Sequence, residues 1–131
     1  MSETTTRTAT AVERYLEFWN TADAAERDRR AARTFARGVE YVAPVTRAEG
    51  ADAVLAFATE LLGHLAGHRF EARTDPDLHD DRLRLRWRVV APDGSEFATG
   101  TDVLHVRSDG LVSSVTTFLD RAPDGFAAHH A

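Results

Sequence analysis

Residues 96–120 read EFATGTDVLHVRSDGLVSSVTTFLD, and this stretch decides the fold. Two runs rich in Val, Thr, Leu and Phe, Phe97–Val106 and Leu111–Leu119, lie on either side of a Ser-Asp-Gly turn at 108–110. These residue types favour a pleated, half-buried strand, and an Asp-Gly pair between two such runs is a strong signal for a β-hairpin. The stretch therefore predicts two long antiparallel strands.

The first of these strands carries a carboxylate on the face that should be buried. Asp102 alternates with Leu104 and Val106, whereas the opposite face carries His105 and Arg107. A carboxylate on the apolar face of a sheet has to be paired, neutral or functional, because burying a lone charge is costly. Asp102 is therefore the first candidate for a functional residue.

Length and composition place the chain among single-domain globular proteins. The 131 residues carry a net charge of −5 with both signs interspersed, which argues against a nucleic-acid-binding surface. No run approaches the roughly 18 apolar residues of a membrane helix, and the first residues lack the apolar core of a signal peptide. The absence of cysteine excludes disulfides and fits a reducing compartment, so we expect a cytoplasmic protein.

The N-terminal third predicts a helix with one apolar face. Residues 1–9 are polar and rich in Thr, and we expect them to be a flexible N-terminus. Thr10 and Glu13 have the spacing of a capping box, which predicts that the helix begins there. Apolar residues then follow at helical spacing: Val12, Tyr15, Leu16 and Trp19.

Two more helices are predicted further along the chain. Asp23 and Glu26 form a second capping box, opening a helix that should end at Gly38. A third helix should begin near Ala51 and end at Gly63.

Strands account for most of the remainder. Short strands are predicted over Val39–Val45 and Arg69–Leu78. The next strand alternates strictly, so one of its faces should be buried and the other wet or facing a partner. Its apolar set is Leu83, Leu85, Trp87 and Val89, and its basic set is Arg82, Arg84, Arg86 and Arg88.

The order of elements predicts an α+β fold. Three helices in the N-terminal half should pack on a strongly curved, mostly antiparallel sheet, and together they should form a cone-shaped α+β barrel. A single domain over residues 10–121 is expected, followed by a tail over 122–131. A cone open at one end is a pocket, and such pockets bind small molecules.

Three segments of the chain resemble a known superfamily. They are VERYLEFWNTAD at 12–23, FARGVEYVAPV at 35–45 and TGTDVLHVRSDGLVSSVTTFLD at 99–120. Their order and spacing resemble the nuclear transport factor 2-like superfamily, in particular its SnoaL-like branch of polyketide cyclases, isomerases and uncharacterised relatives. The resemblance covers roughly residues 10–121 and implies the cone fold. It implies far less about function, because that superfamily contains enzymes and non-catalytic binding modules alike.

The comparison with ketosteroid isomerase implies roles for two residues. Tyr15 falls where that enzyme places its oxyanion-hole tyrosine, and Asp102 where it places a carboxylic acid kept neutral by an apolar site. Its general base, an aspartate just before a proline, corresponds to Ala43 before Pro44. Glu40 cannot replace it, because strand alternation puts Glu40 on the opposite face. Steroid isomerisation by that route is therefore not expected.

Two interpretations of Tyr15 and Asp102 remain open. Both could be catalytic, donating hydrogen bonds to one ligand oxygen and stabilising an enolate. Alternatively, Asp102 accepts a bond from Tyr15 or a backbone amide and is structural, in a non-catalytic binding or dimerisation module.

A set of mostly apolar residues is predicted to bind a small, mostly apolar, carbonyl-bearing ligand. The set is Trp19, Phe35, Tyr41, Phe57, Leu61, Leu85 and Trp87, with Val115 and Thr117 from the last strand. The last strand has two possible registers, and the resemblance to the isomerase favours the one that turns Val115, Thr117 and Leu119 inward rather than Ser114, Thr116 and Phe118.

The basic face predicts a partner surface. Its arginines can pair with Glu71 and Asp75 on the preceding strand, and members of this superfamily usually meet a second copy through the outer sheet face. We therefore expect a homodimer through that face. His64 and His68 lie four residues apart, but Gly63 and Gly67 indicate that the helix is ending, so we predict no metal site and no cofactor.

Overall fold

The computed structural model describes residues 3–124 as three helices and seven strands. The helices are α1 (Glu3–Trp19), α2 (Ala24–Thr34) and α3 (Ala51–His64). The strands are β1 (Phe35–Ala43), β2 (Thr46–Glu49), β3 (Arg69–Ala72), β4 (Asp77–His79), β5 (Arg82–Val90), β6 (Glu96–Val106) and β7 (Val112–Arg121).

The strands form one curved sheet that does not close on itself. Their order is β2-β1-β7-β6-β5-β3, and β4 pairs with β5 beside this path. Every pair is antiparallel except β1 with β7, which is parallel. The predicted α+β fold and the predicted hairpin of the last two strands are confirmed.

The first helix begins at Glu3 rather than at Thr10, so residues 3–9, which were predicted to precede the helix, form its first two turns. Thr8 is 1% exposed, and its hydroxyl donates to the backbone carbonyl of Thr4 at 2.8 Å. A threonine bonded in this way satisfies its own side chain inside a helix. A Thr-rich segment can therefore stay helical where another element covers it. Most of the tail predicted over 122–131 lies outside the described residues.

The second helix begins as predicted and ends earlier. The Asp23 carboxylate accepts a hydrogen bond from the backbone N–H of Glu26 at 2.8 Å, which confirms the N-cap. The helix ends at Thr34, four residues before Gly38, because Phe35 already pairs with Val112 of β7. A long-range strand pairing therefore determines this helix end.

Two of the predicted strands differ in their details. The strand predicted over Val39–Val45 begins earlier, at Phe35, and ends at Ala43, where the chain turns at Pro44 into the paired strand β2. The strand predicted over Arg69–Leu78 is two short strands, β3 and β4, which both pair with β5.

The outer face of the sheet carries the predicted arginine ladder. Arg88 pairs with Glu71 at 2.9 Å, as expected, whereas Arg84 pairs with Asp77 at 2.6 Å rather than with Asp75. The pairing follows register, because Asp77 lies directly opposite Arg84. Within residues 3–124, no helix is long and apolar enough to cross a membrane.

Candidate functional site

A cavity of about 260 Å³ lies between the helices and the concave face of the sheet. Typical ligand pockets have volumes of roughly 300 Å³ or more, so this cavity is slightly smaller than most and suits a correspondingly small molecule. Val45, which is 59% exposed, marks its rim, and Asp102, 4% exposed, lies at its buried end. The wall between them is almost entirely apolar.

Most of the predicted site residues line this cavity. They are Tyr15, Trp19, Tyr41, Phe57, Leu61, Leu85, Trp87, Asp102 and Thr117. The last strand has the register that the resemblance favoured, with Val115 buried, Thr117 and Leu119 on the cavity wall, and Phe118 55% exposed.

Phe35 and Val115 were predicted to line the cavity and do not. Phe35 lies behind the wall, where its ring packs edge-on against Tyr15 with centroids 6.1 Å apart. Val115 is 1% exposed and lies between Leu104 and Tyr41 on the neighbouring strands. Both side chains face inward but are part of the packed core, because other side chains lie between them and the cavity.

Several lining residues were absent from the predicted set. They are Leu16, Ala43, Pro44, Val45, Leu65, Phe70, Val89, Phe97, Ala98, Leu119 and Pro123. The sequence could have indicated Leu16 and Val89, since both belong to the apolar faces predicted for their helix and strand. No sequence pattern indicated Phe70 and Phe97, because only the curvature of the sheet brings the ends of their strands over the cavity. Ala43 lies on the wall, at the position where the resemblance places a general base.

Asp102 accepts hydrogen bonds on both carboxylate oxygens. The Tyr15 hydroxyl donates to Oδ2 at 2.5 Å, and the Trp87 indole Nε1–H donates to Oδ1 at 2.8 Å. The bond from Tyr15 is the one that the structural interpretation expected. The same three side chains also line the cavity, so Asp102 can contact a bound molecule as well.

Burial dominates the electrostatics of this group. It raises the pKa of Asp102 above its ordinary value, although the hydrogen bonds from Tyr15, Trp87 and Thr117 oppose the shift. Burial, and then the charge of Asp102, raise the pKa of Tyr15 well above its ordinary value, so the phenol stays protonated. Among the described residues that line the cavity, none is Lys or Arg.

Gly100 makes room for the indole that holds Asp102. A Cβ at this position would lie 2.1 Å from Trp87 Cζ2 and 2.6 Å from the Phe118 carbonyl oxygen. Arg73 fixes the same region from behind, donating to the carbonyl oxygens of Trp87 and Gly100, each at 2.9 Å. The orientation of Trp87 therefore depends on a residue without a side chain.

The arrangement permits two kinds of proton chemistry. A carboxylate has about four lone-pair sites, so Asp102 can accept a further hydrogen bond or a proton after those from Tyr15 and Trp87. Because burial raises its pKa, the protonated form is also accessible and can donate. Asp102 can therefore take a proton from a bound molecule and return it.

His105 lies on the outer face, as predicted, within a small polar cluster. Its Nε2 is 2.7 Å from Asp81 Oδ2, and its Nδ1 is 2.5 Å from Ser113 Oγ. These residue types also form nucleophilic triads, but none of the three lines the cavity. The cluster ties the β4–β5 turn to β6 and β7.

Comparisons with known proteins agree with the fold. A profile of the SnoaL-like domain matches residues 12–115. A provisionally named isomerase of the SnoaL-like family from Agrobacterium tumefaciens has a similar structure, with a TM-score of 0.83 and 32% sequence identity over 88% of this chain and 98% of that one. No curated protein matches the sequence at a significant level.

More distant structures show the fold alone. A provisionally named SnoaL-like polyketide cyclase from Jannaschia has a TM-score of 0.75 at 17% identity, covering 92% of this chain and 90% of that one. A nuclear transport factor 2-like protein of unknown function from Mesorhizobium loti has a TM-score of 0.70 at 18% identity, covering 92% and 96%.

Proposed function

Because this chain belongs to the SnoaL-like family, we propose that its cone binds a small, mostly apolar, carbonyl-bearing molecule and that Asp102 exchanges a proton with it. The reaction class is an isomerisation or a cyclisation. The isomerase name of the structural neighbour with 32% identity supports an isomerisation.

One observation carries the proposal: a single carboxyl group lies at the buried end of an otherwise apolar cavity. The apolar wall favours an apolar ligand, and a neutral carbonyl compound enters more readily than an anion because no cation lines the described wall. Tyr15 and Trp87 hold the carboxyl in one orientation, which is what a general base requires.

The proposed step removes a proton from the carbon beside the ligand carbonyl. The C–H electron pair becomes the carbon–carbon double bond of an enolate, and the carbonyl π electrons move to oxygen. In an isomerisation the ligand also carries a carbon–carbon double bond next to the deprotonated carbon, so the enolate is a dienolate. Asp102 returns the proton to the far carbon of that dienolate, and the double bond moves into conjugation with the carbonyl. In a cyclisation, the enolate carbon attacks a second carbonyl of the same molecule, and the new alkoxide takes the proton. Since position 43 is alanine, one carboxyl performs both transfers.

The test is deuterium exchange of 2-tetralone, a flat bicyclic ketone with an acidic C–H beside its carbonyl. In D₂O, the wild type should accelerate exchange at carbon 1 above the protein-free rate, as followed by proton NMR. Asp102→Asn should reduce the acceleration by about 10²–10⁴-fold, since it removes the base. Glu60→Gln makes the same chemical change at an exposed position of α3 and should leave the rate unchanged.

The rival function is a non-catalytic binding module. It is favoured by the fact that Asp102 is already satisfied by two donors from the protein. Binding of 2-tetralone without acceleration of exchange, or equal rates for wild type and Asp102→Asn, would support the rival and reject catalysis.

We also propose a homodimer through the outer sheet face. Phe118 and Val103, 55% and 38% exposed, lie on that face beside Thr101 and Thr116 of the neighbouring strand. The adjacent arginines have their charges balanced by Glu71 and Asp77, which lowers the repulsion between two copies. The cytoplasmic location expected from the lack of cysteine stays a prediction.

A further inference from the structure

We infer that the hydroxyl of Tyr41, rather than that of Tyr15, donates the hydrogen bond to the ligand's carbonyl oxygen. This inference rests on the proposed function and specifies the ligand further. It gives Tyr41 a catalytic role in place of the passive lining role that the sequence predicts.

The two donors nearest to Asp102 are already engaged. The Tyr15 hydroxyl has one proton, and it points to Asp102 Oδ2 over 2.5 Å. The Trp87 indole N–H is directed at the other oxygen over 2.8 Å. For either group to bind a ligand oxygen, it would have to release a buried carboxylate, which is strongly unfavourable.

Tyr41 has a hydroxyl proton to offer. The ring projects inward from β1 and lines the cavity. Among residues 3–124, the only hydrogen bond of this hydroxyl is with Thr117 Oγ1 at 3.5 Å. That distance exceeds the 2.5–3.0 Å usual for hydroxyl pairs, so the contact is weak and a ligand can displace it.

The hydroxyl also lies close enough to Asp102 for one ligand to reach both. Thr117, its partner, is directly opposite Asp102 on the neighbouring strand. Burial, followed by the charge of Asp102, raises the pKa of Tyr41, so the phenol stays protonated and able to donate.

Neighbouring rings hold Tyr41 in place. Its ring centroid is 6.0 Å from that of Trp19 and 5.6 Å from that of Phe57. A donor fixed before the ligand arrives stabilises a developing negative charge without having to reorganise.

This geometry specifies the ligand class: a neutral ketone or 1,3-dicarbonyl compound with an acidic C–H beside the carbonyl. The carbonyl oxygen binds at Tyr41, and the adjacent C–H faces Asp102. When Asp102 takes the proton, the negative charge develops on the oxygen, where the Tyr41 O–H strengthens its hydrogen bond without being transferred. A carboxylic acid is excluded, because its anion would face Asp102 with no cation on the described wall.

The experiment compares Tyr41→Phe with Tyr15→Phe, two variants that each remove one hydroxyl and keep the ring. Binding of 2-tetralone and of tetralin, which lacks the carbonyl, is measured by calorimetry. Tyr41→Phe should weaken 2-tetralone binding by about tenfold and leave tetralin binding unchanged. It should also slow the exchange of 2-tetralone by about 10²–10³-fold, as loss of one oxyanion donor does.

Infrared spectroscopy of bound 2-tetralone identifies the donor directly. In the wild type, the carbonyl stretch should shift to lower frequency than in a hydrocarbon solvent. The shift should disappear in Tyr41→Phe and persist in Tyr15→Phe. The reverse pattern, or equal tetralone affinities for wild type and Tyr41→Phe, would overturn the role of Tyr41 and leave the proposed function intact. Failure of the wild type to bind either compound would overturn the proposed function, and this inference with it.

Discussion

At the scale of single residues, the site centres on a carboxyl group in an apolar environment. Asp102 is 4% exposed and has no cationic partner among the described residues of the cavity. Its pKa is raised, so the folded protein holds its proton more firmly than the unfolded chain does. That difference makes stability depend on pH.

The free energy of unfolding of the wild type should fall relative to that of Asp102→Asn as the pH rises. Between the ordinary aspartate pKa, about 3.9, and the raised value, the folded state binds more protons than the unfolded state, so the free energy of unfolding decreases with pH. The asparagine cannot ionise and escapes this loss. Urea unfolding of both proteins at about pH 4 and pH 7 measures it.

Asp77→Asn provides a control of opposite sign. Hydrogen bonding to Arg84 lowers the pKa of Asp77, so its contribution is present above the unfolded pKa and is lost as pH falls. If Asp102→Asn showed the pH dependence expected of Asp77→Asn, ionised Asp102 would stabilise the folded state, and the raised pKa would be wrong.

At the scale of elements, β6 leaves room for the indole that packs across it. The pairing of β6 with β7 shifts register between Thr99 and Gly100, next to Trp87 on β5. This irregularity and the missing side chain let Trp87 reach Asp102, so a feature of the strand determines the geometry of the site.

Gly100→Ala should destabilise the protein by about 1–3 kcal/mol, the usual range for overpacking. The added Cβ would lie 2.1 Å from the Trp87 ring, which would have to move and lose its bond to Asp102. Gly38→Ala is the matched control, because nothing lies within 4 Å of a Cβ there. Equal urea midpoints for the two variants would show that Trp87 adapts without cost.

At the scale of the whole molecule, the two faces of the sheet differ in composition and burial. The concave face holds the core and the cavity, whereas the outer face combines exposed apolar side chains with paired charges. Phe118 and Val103 are diagonal neighbours on that face, and exposed apolar side chains that lie together mark protein–protein contacts.

Phe118→Asp should therefore convert the proposed dimer into a monomer, since it places a charge in the interface. Sedimentation velocity at micromolar concentration measures the change, and Glu60→Gln on the exposed face of α3 should sediment as the wild type does. A wild type that sediments as a monomer would refute the dimer. Exchange of 2-tetralone, if retained by Phe118→Asp, would show that one copy carries a complete site.

The sequence by itself determined the local patterns: the hairpin at 108–110, the cap at Asp23, and a carboxylate on the buried face of β6. Such patterns have a period of two or of 3.6 residues and can be read from neighbours along the chain. They were enough to predict the α+β fold class and most of the residues that line the cavity.

Only the tertiary structure decided how the polar groups of the site pair and which inward side chains meet the hollow. The partner of Asp102 is 87 positions away in Tyr15, and β1 joins the sheet through a parallel pairing with β7. Phe35 and Val115 face inward and are covered, whereas Phe70 and Phe97 line the cavity. No period in the sequence encodes these contacts, because the curvature of the sheet sets the distances between segments that are remote along the chain.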